Sequence, residues 1–160
     1  MGEFRKRTYQ GPGDFLKDLG YVSRRGATAL ELALGKGLSA HFREQLMLVV
    51  TGVNKCRYCT YIHSQAARLA GLSDARIEAL LAGRIEDTAP EERVALRYAL
   101  AWAETNGQPD EDLWHELCDE YGDYLARRIE LALRMIRVGN LTGNSLDRFA
   151  HYISQGRWGG

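Results

Sequence analysis

An all-α fold is what this chain predicts, on three observations. Beyond a polar arm at residues 1–12, almost every segment repeats with helical period. Nowhere do four or more residues alternate cleanly between apolar and polar, and Gly, Ser and Pro divide the chain into helix-length pieces. At 160 residues the chain has the size of one domain, residues 13–160 after the arm, and can bury roughly two thirds of its unfolded surface.

The periodicity places about seven or eight helices, near 14–35 with an interruption, 40–53, 57–70, 74–82, 89–106, 110–120, 123–142 and 145–155. Gly35 and Gly37 close the first segment, and Ser39 is the N-cap of the next. A turn over Gly52-Val53-Asn54-Lys55 leads into the segment that starts at Cys56. Gly71 ends that helix, and Ser73 followed by Asp74 starts another. Thr88-Ala89-Pro90-Glu91 fits a capping box with proline in the first turn. Gly107 with Pro109 separates the helix of Trp102 from that of Trp114.

Val94, Leu96, Tyr98, Leu100 and Ala101, and likewise Ile129, Leu131, Leu133, Met135, Ile136 and Val138, are apolar around much of their helices. In a small helical domain such spare apolar surface is often covered by a second copy, so a homo-oligomer is expected.

Twenty-one Lys and Arg balance 21 Asp and Glu, and the signs are interspersed, which gives no electrostatic case for nucleic acid or an anionic membrane. The apolar runs, such as Leu46 to Val50, are far shorter than a bilayer span of roughly 20 residues, and the charged stretch Glu3 to Arg7 has no apolar region after it. Three cysteines are too few for a secreted disulfide framework. A cytoplasmic protein is expected.

Chemistry concentrates in Cys56-Arg57-Tyr58-Cys59-Thr60-Tyr61-Ile62-His63, with Glu44 twelve residues upstream of Cys56. Cys59 and His63, four apart, share a helix face, and Cys56 falls on it too. The pair sits at a helix N-terminus, where unpaired N–H groups favour thiolate, and Lys55 and Arg57 flank it with positive charge. A thiol of pKa about 8.5 is only about 3% thiolate at pH 7; lowering it by two units makes it about three quarters thiolate and requires about 2.7 kcal/mol. A helix terminus supplies roughly 0.3–1 kcal/mol. A second contributor is therefore needed, and His63, oriented by Glu44 from the preceding helix, is the candidate. Redox chemistry ranks ahead of a zinc site, for which Cys118, His115 or Glu44 would have to complete Cys56, Cys59 and His63, and ahead of inert cysteines. No cofactor is expected. The competing function is a helical, oligomeric sensor or binding protein whose cysteine pair is structural or metal-bound.

The spacing Glu-x11-Cys-x2-Cys-x3-His at Glu44, Cys56, Cys59 and His63 resembles the signature of the alkylhydroperoxidase D family, within the carboxymuconolactone decarboxylase superfamily. Residues 39–82 carry the likeness most closely, and Gly139 to Asp147 is similar to the C-terminal part of such proteins. The resemblance implies an alkylhydroperoxidase D-like all-α fold assembled as homotrimers or homohexamers, and a thiol-dependent peroxidase or disulfide oxidoreductase. Its substrate would be a hydroperoxide or disulfide and its reductant an unidentified thiol. By that likeness Cys59 attacks peroxide, Cys56 supplies a proton and closes the disulfide, and His63 with Glu44 relays protons. Well-studied members have histidine just before the second cysteine; here Tyr58 stands there, a poor proton shuttle at neutral pH, which moves the expectation toward a general thiol oxidoreductase.

Among the other residues, Cys118 reads as a partly buried structural thiol. His41, His115 and His151 stand without matching partners. Tyr58 and Tyr61 line a substrate pocket or pack on a neighbouring subunit, and Arg127, Arg128, Arg134 and Arg137 mark a solvated or intersubunit face and not an anion site.

Overall fold

Residues Ala40–Asn54 set the architecture because their apolar side chains face every direction: Leu46, Met47, Leu48, Val49 and Val50 are consecutive and all buried. A helix apolar on all sides needs neighbours on all sides. In the computed structural model, which describes residues 4–159, this helix is α3. Around it lie α1 (Pro12–Ser23), α2 (Gly26–Ala33), α4 (Arg57–Leu69), α5 (Asp74–Leu81), α6 (Pro90–Glu104) and α7 (Glu111–Ile153). Helix α3 packs against α4, α5, α6 and α7, while α7 also takes α1 and α2. No strand occurs among the described residues, as the absence of alternation predicts.

The core joins Leu32, Leu46, Leu48, Leu80, Leu96, Trp102, Ile129 and Leu133 in one cluster. Each fully buried Leu or Ile contributes roughly 1.5–3 kcal/mol against exposure. The residues on α6 and α7 that point to a partner copy, Leu96, Tyr98, Ile129, Leu131 and Leu133, are thus covered inside the chain. The exposed large apolar residues are others, among them Tyr58, Tyr61, Ile62 and Leu69 on α4, Leu146, Phe149 and Ile153 on α7, Leu16 and Leu19 on α1, and Leu30 on α2 with Leu34 at its C-cap.

Most of the punctuation is seen as expected. The Ser39 and Ser73 hydroxyls accept from the backbone N–H of Phe42 and Arg76. Gly71 takes φ 91° beyond α4, and Gly122, at φ 73° and ψ 155°, breaks α7 where a boundary is expected. Gly52 is required for a different reason: a Cβ there would collide with the Leu81 carbonyl, so glycine lets α3 approach the end of α5.

Two expectations fail. Pro90 does open α6, but Thr88 forms no capping box; its hydroxyl donates to the Ile85 carbonyl instead, 2.6 Å away, and accepts from Arg76. The separate helix at 145–155 does not exist, because α7 runs unbroken from Gly122 to Ile153. Glycine and asparagine at 139–144 suggest a turn, yet the Asn140 and Asn144 amides bond other segments and do not compete with their own helix.

The arm is no free tail. Within its described part, Lys6 pairs with Asp147 at 2.7 Å, Arg7 Nη1 donates to the Ala103 carbonyl, and the Arg7 carbonyl accepts from Asn144. Residues 1–3 of the expected arm, and residue 160, lie outside the described residues.

Candidate active site

The cysteines are placed by a two-residue turn between α3 and α4. Lys55 caps α3 in the left-handed conformation (φ 57°, ψ 39°), reversing the chain at once, and Cys56 (φ −84°, ψ 104°) becomes the N-cap of α4. The Cys59 backbone N–H donates to Cys56 Sγ at 3.3 Å, so a sulfur fills the place usually taken by a Ser or Asp oxygen. The two sulfurs lie at disulfide distance with Cα atoms 5.3 Å apart, inside the range a disulfide accepts. Cys56 is completely buried, whereas Cys59 is half-buried and reachable from solvent.

Behind Cys56 stands α7. A Cβ on Gly143 would come 3.6 Å from Cys56 Sγ, so the helix backbone itself forms the wall of the site. A buried polar ladder fixes this wall: Asn54 Nδ2 donates to Asn140 Oδ1 at 3.1 Å, Asn140 Nδ2 to Thr51 Oγ1 at 3.3 Å, and Asn144 Nδ2 to the Asn54 carbonyl at 2.7 Å. Asp147, one turn further, binds Arg57 Nη2 at 3.5 Å and Lys6 Nζ at 2.7 Å. Sequence reasoning missed this ladder, although the i, i+4, i+7 spacing of Asn140, Asn144 and Asp147 on one helix face was there to find it.

On the other side, Glu44 of α3 and His63 of α4 meet: Nδ1 donates to Oε2 at 2.8 Å. Glu44 is buried at 3% exposure, and its second oxygen accepts from Arg43 Nε at 3.2 Å. Arg43 was another omission, for its neighbour in sequence turns out to be its partner in space. Burial alone would push the Glu44 pKa up; the hydrogen bonds and charges of His63 and Arg43 outweigh it, so the carboxyl titrates below its ordinary value and stays ionised. With Nδ1 engaged, Nε2 is the ring nitrogen left for proton exchange. His63 lies one turn after Cys59 on α4, where i, i+4 side chains are neighbours.

Tyr58 points away from this constellation. It is 53% exposed, its hydroxyl accepts from Arg57 Nη2 at 2.8 Å, and the Arg57 guanidinium covers its ring at 4.8 Å. Tyr61 is likewise exposed. Cys118 is half-buried and remote in the fold on α7, its thiol pushed up by burial and by Asp123. His41 does have partners, Gln45 Nε2 at 3.2 Å and Glu92 at 3.7 Å, and His151 meets the Phe4 ring at a tilt, with centroids 5.8 Å apart. Among the described residues no group of three or more His, Cys, Asp or Glu side chains is placed to hold a metal, and no helix is long and apolar enough to cross a membrane.

Of Arg127, Arg128, Arg134 and Arg137 on α7, Arg127 is exposed as expected, but Arg128 and Arg137 differ from expectation. Arg128 pairs with Glu31 at 2.9 Å, and Arg137 pairs with Asp18; both are buried inside the chain and not on a solvated face.

A search among curated proteins returns no match to this chain. The likeness at Gly139 to Asp147 lies outside the segment that a family comparison recovers. That segment, residues 23–101, is about half of the chain and holds Glu44, Cys56, Cys59 and His63; it matches the carboxymuconolactone decarboxylase family, and the chain belongs to that family.

Proposed function

We propose that the protein is a thiol-dependent peroxidase or disulfide oxidoreductase that cycles Cys56 and Cys59 between dithiol and disulfide, with His63 and Glu44 as the proton relay. The observation that carries this reading is the 2.8 Å Glu44–His63 contact, one helical turn from a half-exposed Cys59 whose partner sulfur is buried at disulfide distance.

The reduced site begins with Cys59 as thiolate, stabilised by the N-terminus of α4 and by protonated His63. Attack on a hydroperoxide breaks the O–O bond, leaves one oxygen on sulfur as sulfenic acid, and releases the other as alcohol after it takes a proton from His63. Cys56 gives up its proton, its sulfur displaces hydroxide from the sulfenic acid, and the hydroxide leaves as water. The sum is two thiols and one hydroperoxide to one disulfide, one alcohol and one water. An external dithiol restores the pair by exchange at Cys59, the reachable sulfur. Glu44 holds the tautomer that leaves Nε2 facing the chemistry and stabilises the imidazolium.

The test is consumption of hydroperoxide with a dithiol donor by wild type and Cys59→Ser. The reading requires turnover in wild type and background rates in the variant, and equal rates would overturn it. We further propose a homotrimer or homohexamer in the cytoplasm, associated through the exposed apolar residues of α4 and the end of α7; a monomer in light scattering would contradict the assembly.

A further inference from the structure

A polar cleft of about 510 Å³ opens between α1, the loop after α6 and the middle of α7, away from the cysteines. Apart from Arg24, its lining lies outside the family-matched segment 23–101. Lys17 on α1 and Arg24 at its C-cap stand exposed at the rim, and neither enters an ion pair among the described residues.

The floor is a buried charge network. Asp18, 1% exposed, is clamped by Arg134 at 3.1 Å and by Arg137, and Arg134 is also held by Glu130 at 2.8 Å. Asp18 and Glu130 are therefore already committed. Arg137 is committed only in part: it is 8% exposed and rests against the rings of Tyr9 and Trp102 at 5.5 and 5.9 Å, and of its five N–H donors only those on Nη1 reach a carboxylate, that of Asp18. Its remaining donors, on Nε and Nη2, are not sealed from solvent and can reach an acceptor in the cleft.

The side-chain amides of Asn106 and Gln108 add further donors, and Asp14 is the single uncommitted carboxylate of the lining. The α6 carbonyls of Ala103 and Glu104, which would oppose an anion, are already capped by Arg7 at 2.6 and 3.2 Å. We propose that this cleft binds a small molecule through a carboxylate or phosphate group, with Arg137 at the floor and Lys17 and Arg24 closing over the anion. Asp14 accepts from a hydroxyl or amine elsewhere on the same ligand.

Calorimetric titration of the full-length protein with inorganic phosphate, with succinate and with uncharged dimethyl succinate tests this. Wild type is expected to bind phosphate or succinate saturably, more weakly as salt rises, and not the diester; which anion binds decides between the two chemistries. The double variant Lys17→Gln/Arg24→Gln removes two exposed, unpaired charges and leaves the core intact, and its affinity should fall roughly tenfold. Absence of saturable binding for both anions, or equal affinity in the folded double variant, would overturn the proposal.

Discussion

Two carboxylates in this protein are almost equally buried and have chemically different partners. Glu44, beside the cysteines, is held by His63 and Arg43; Asp18, between α1 and α7, is held by Arg134 and Arg137. Both satisfy the rule that a buried charge must be paired. The difference is in the partner. Arginine does not lose its proton in the accessible pH range, so the Asp18 cluster is a fixed brace. Histidine does, so Glu44 is joined to a group that can hand a proton on, one turn from a thiol. A buried ion pair becomes chemical equipment only when one member can titrate next to something reactive.

The largest effect should come from breaking the brace. Asp18→Asn leaves the dry Arg137 guanidinium uncompensated and should cost about 3–5 kcal/mol in urea unfolding, with little change in thiol reactivity of the folded fraction. If the loss is below the effect of an ordinary surface substitution, the cluster is not the brace described here.

Glu44→Gln should do the reverse. General acid–base assistance is worth about 10²–10⁴-fold, so dithiol-dependent peroxide reduction should fall by about 10²-fold while unfolding shifts by roughly 1–3 kcal/mol. The same variant sharpens the pH dependence. The folded-state pKa of Glu44 is depressed, so its contribution to stability is present above the unfolded carboxylate value of about 4.3 and is lost as pH falls through the folded value. Acid unfolding of Glu44→Gln should lack that component.

How much of this was legible beforehand follows from the kind of signal each residue leaves. Serine caps, helical period and the spacing of Cys56, Cys59 and His63 are local, and they led to α3, α4 and the candidate site. Glu44 was reachable because a short turn had to fold α3 onto α4. What was invisible depends on contacts between distant segments: Asn140 and Asn144 look like helix breakers until Thr51, Asn54 and Arg7 are seen beside them, and Arg137 looks like surface charge until Asp18 arrives from α1. The Thr88 capping box failed for the same reason, because Ile85 and Arg76 take its hydroxyl.

Tyr58 supplies the smallest effect. Its hydroxyl bonds only the neighbouring Arg57 on the surface, so Tyr58→Phe should change stability by no more than about 0.5 kcal/mol and leave the thiol chemistry intact. A large loss of activity would bring Tyr58 into the relay after all.

On the proposed relay Glu44, acting through His63, tunes Cys59, while the similarly buried Asp18 does not. The direct measurement is the rate of Cys59 alkylation against pH in the reduced protein, each form carrying Cys118→Ser, for wild type, Glu44→Gln and Asp18→Asn. The midpoint of thiolate formation should move to higher pH in Glu44→Gln and stay in place in folded Asp18→Asn; superimposable profiles for wild type and Glu44→Gln would rule the relay out.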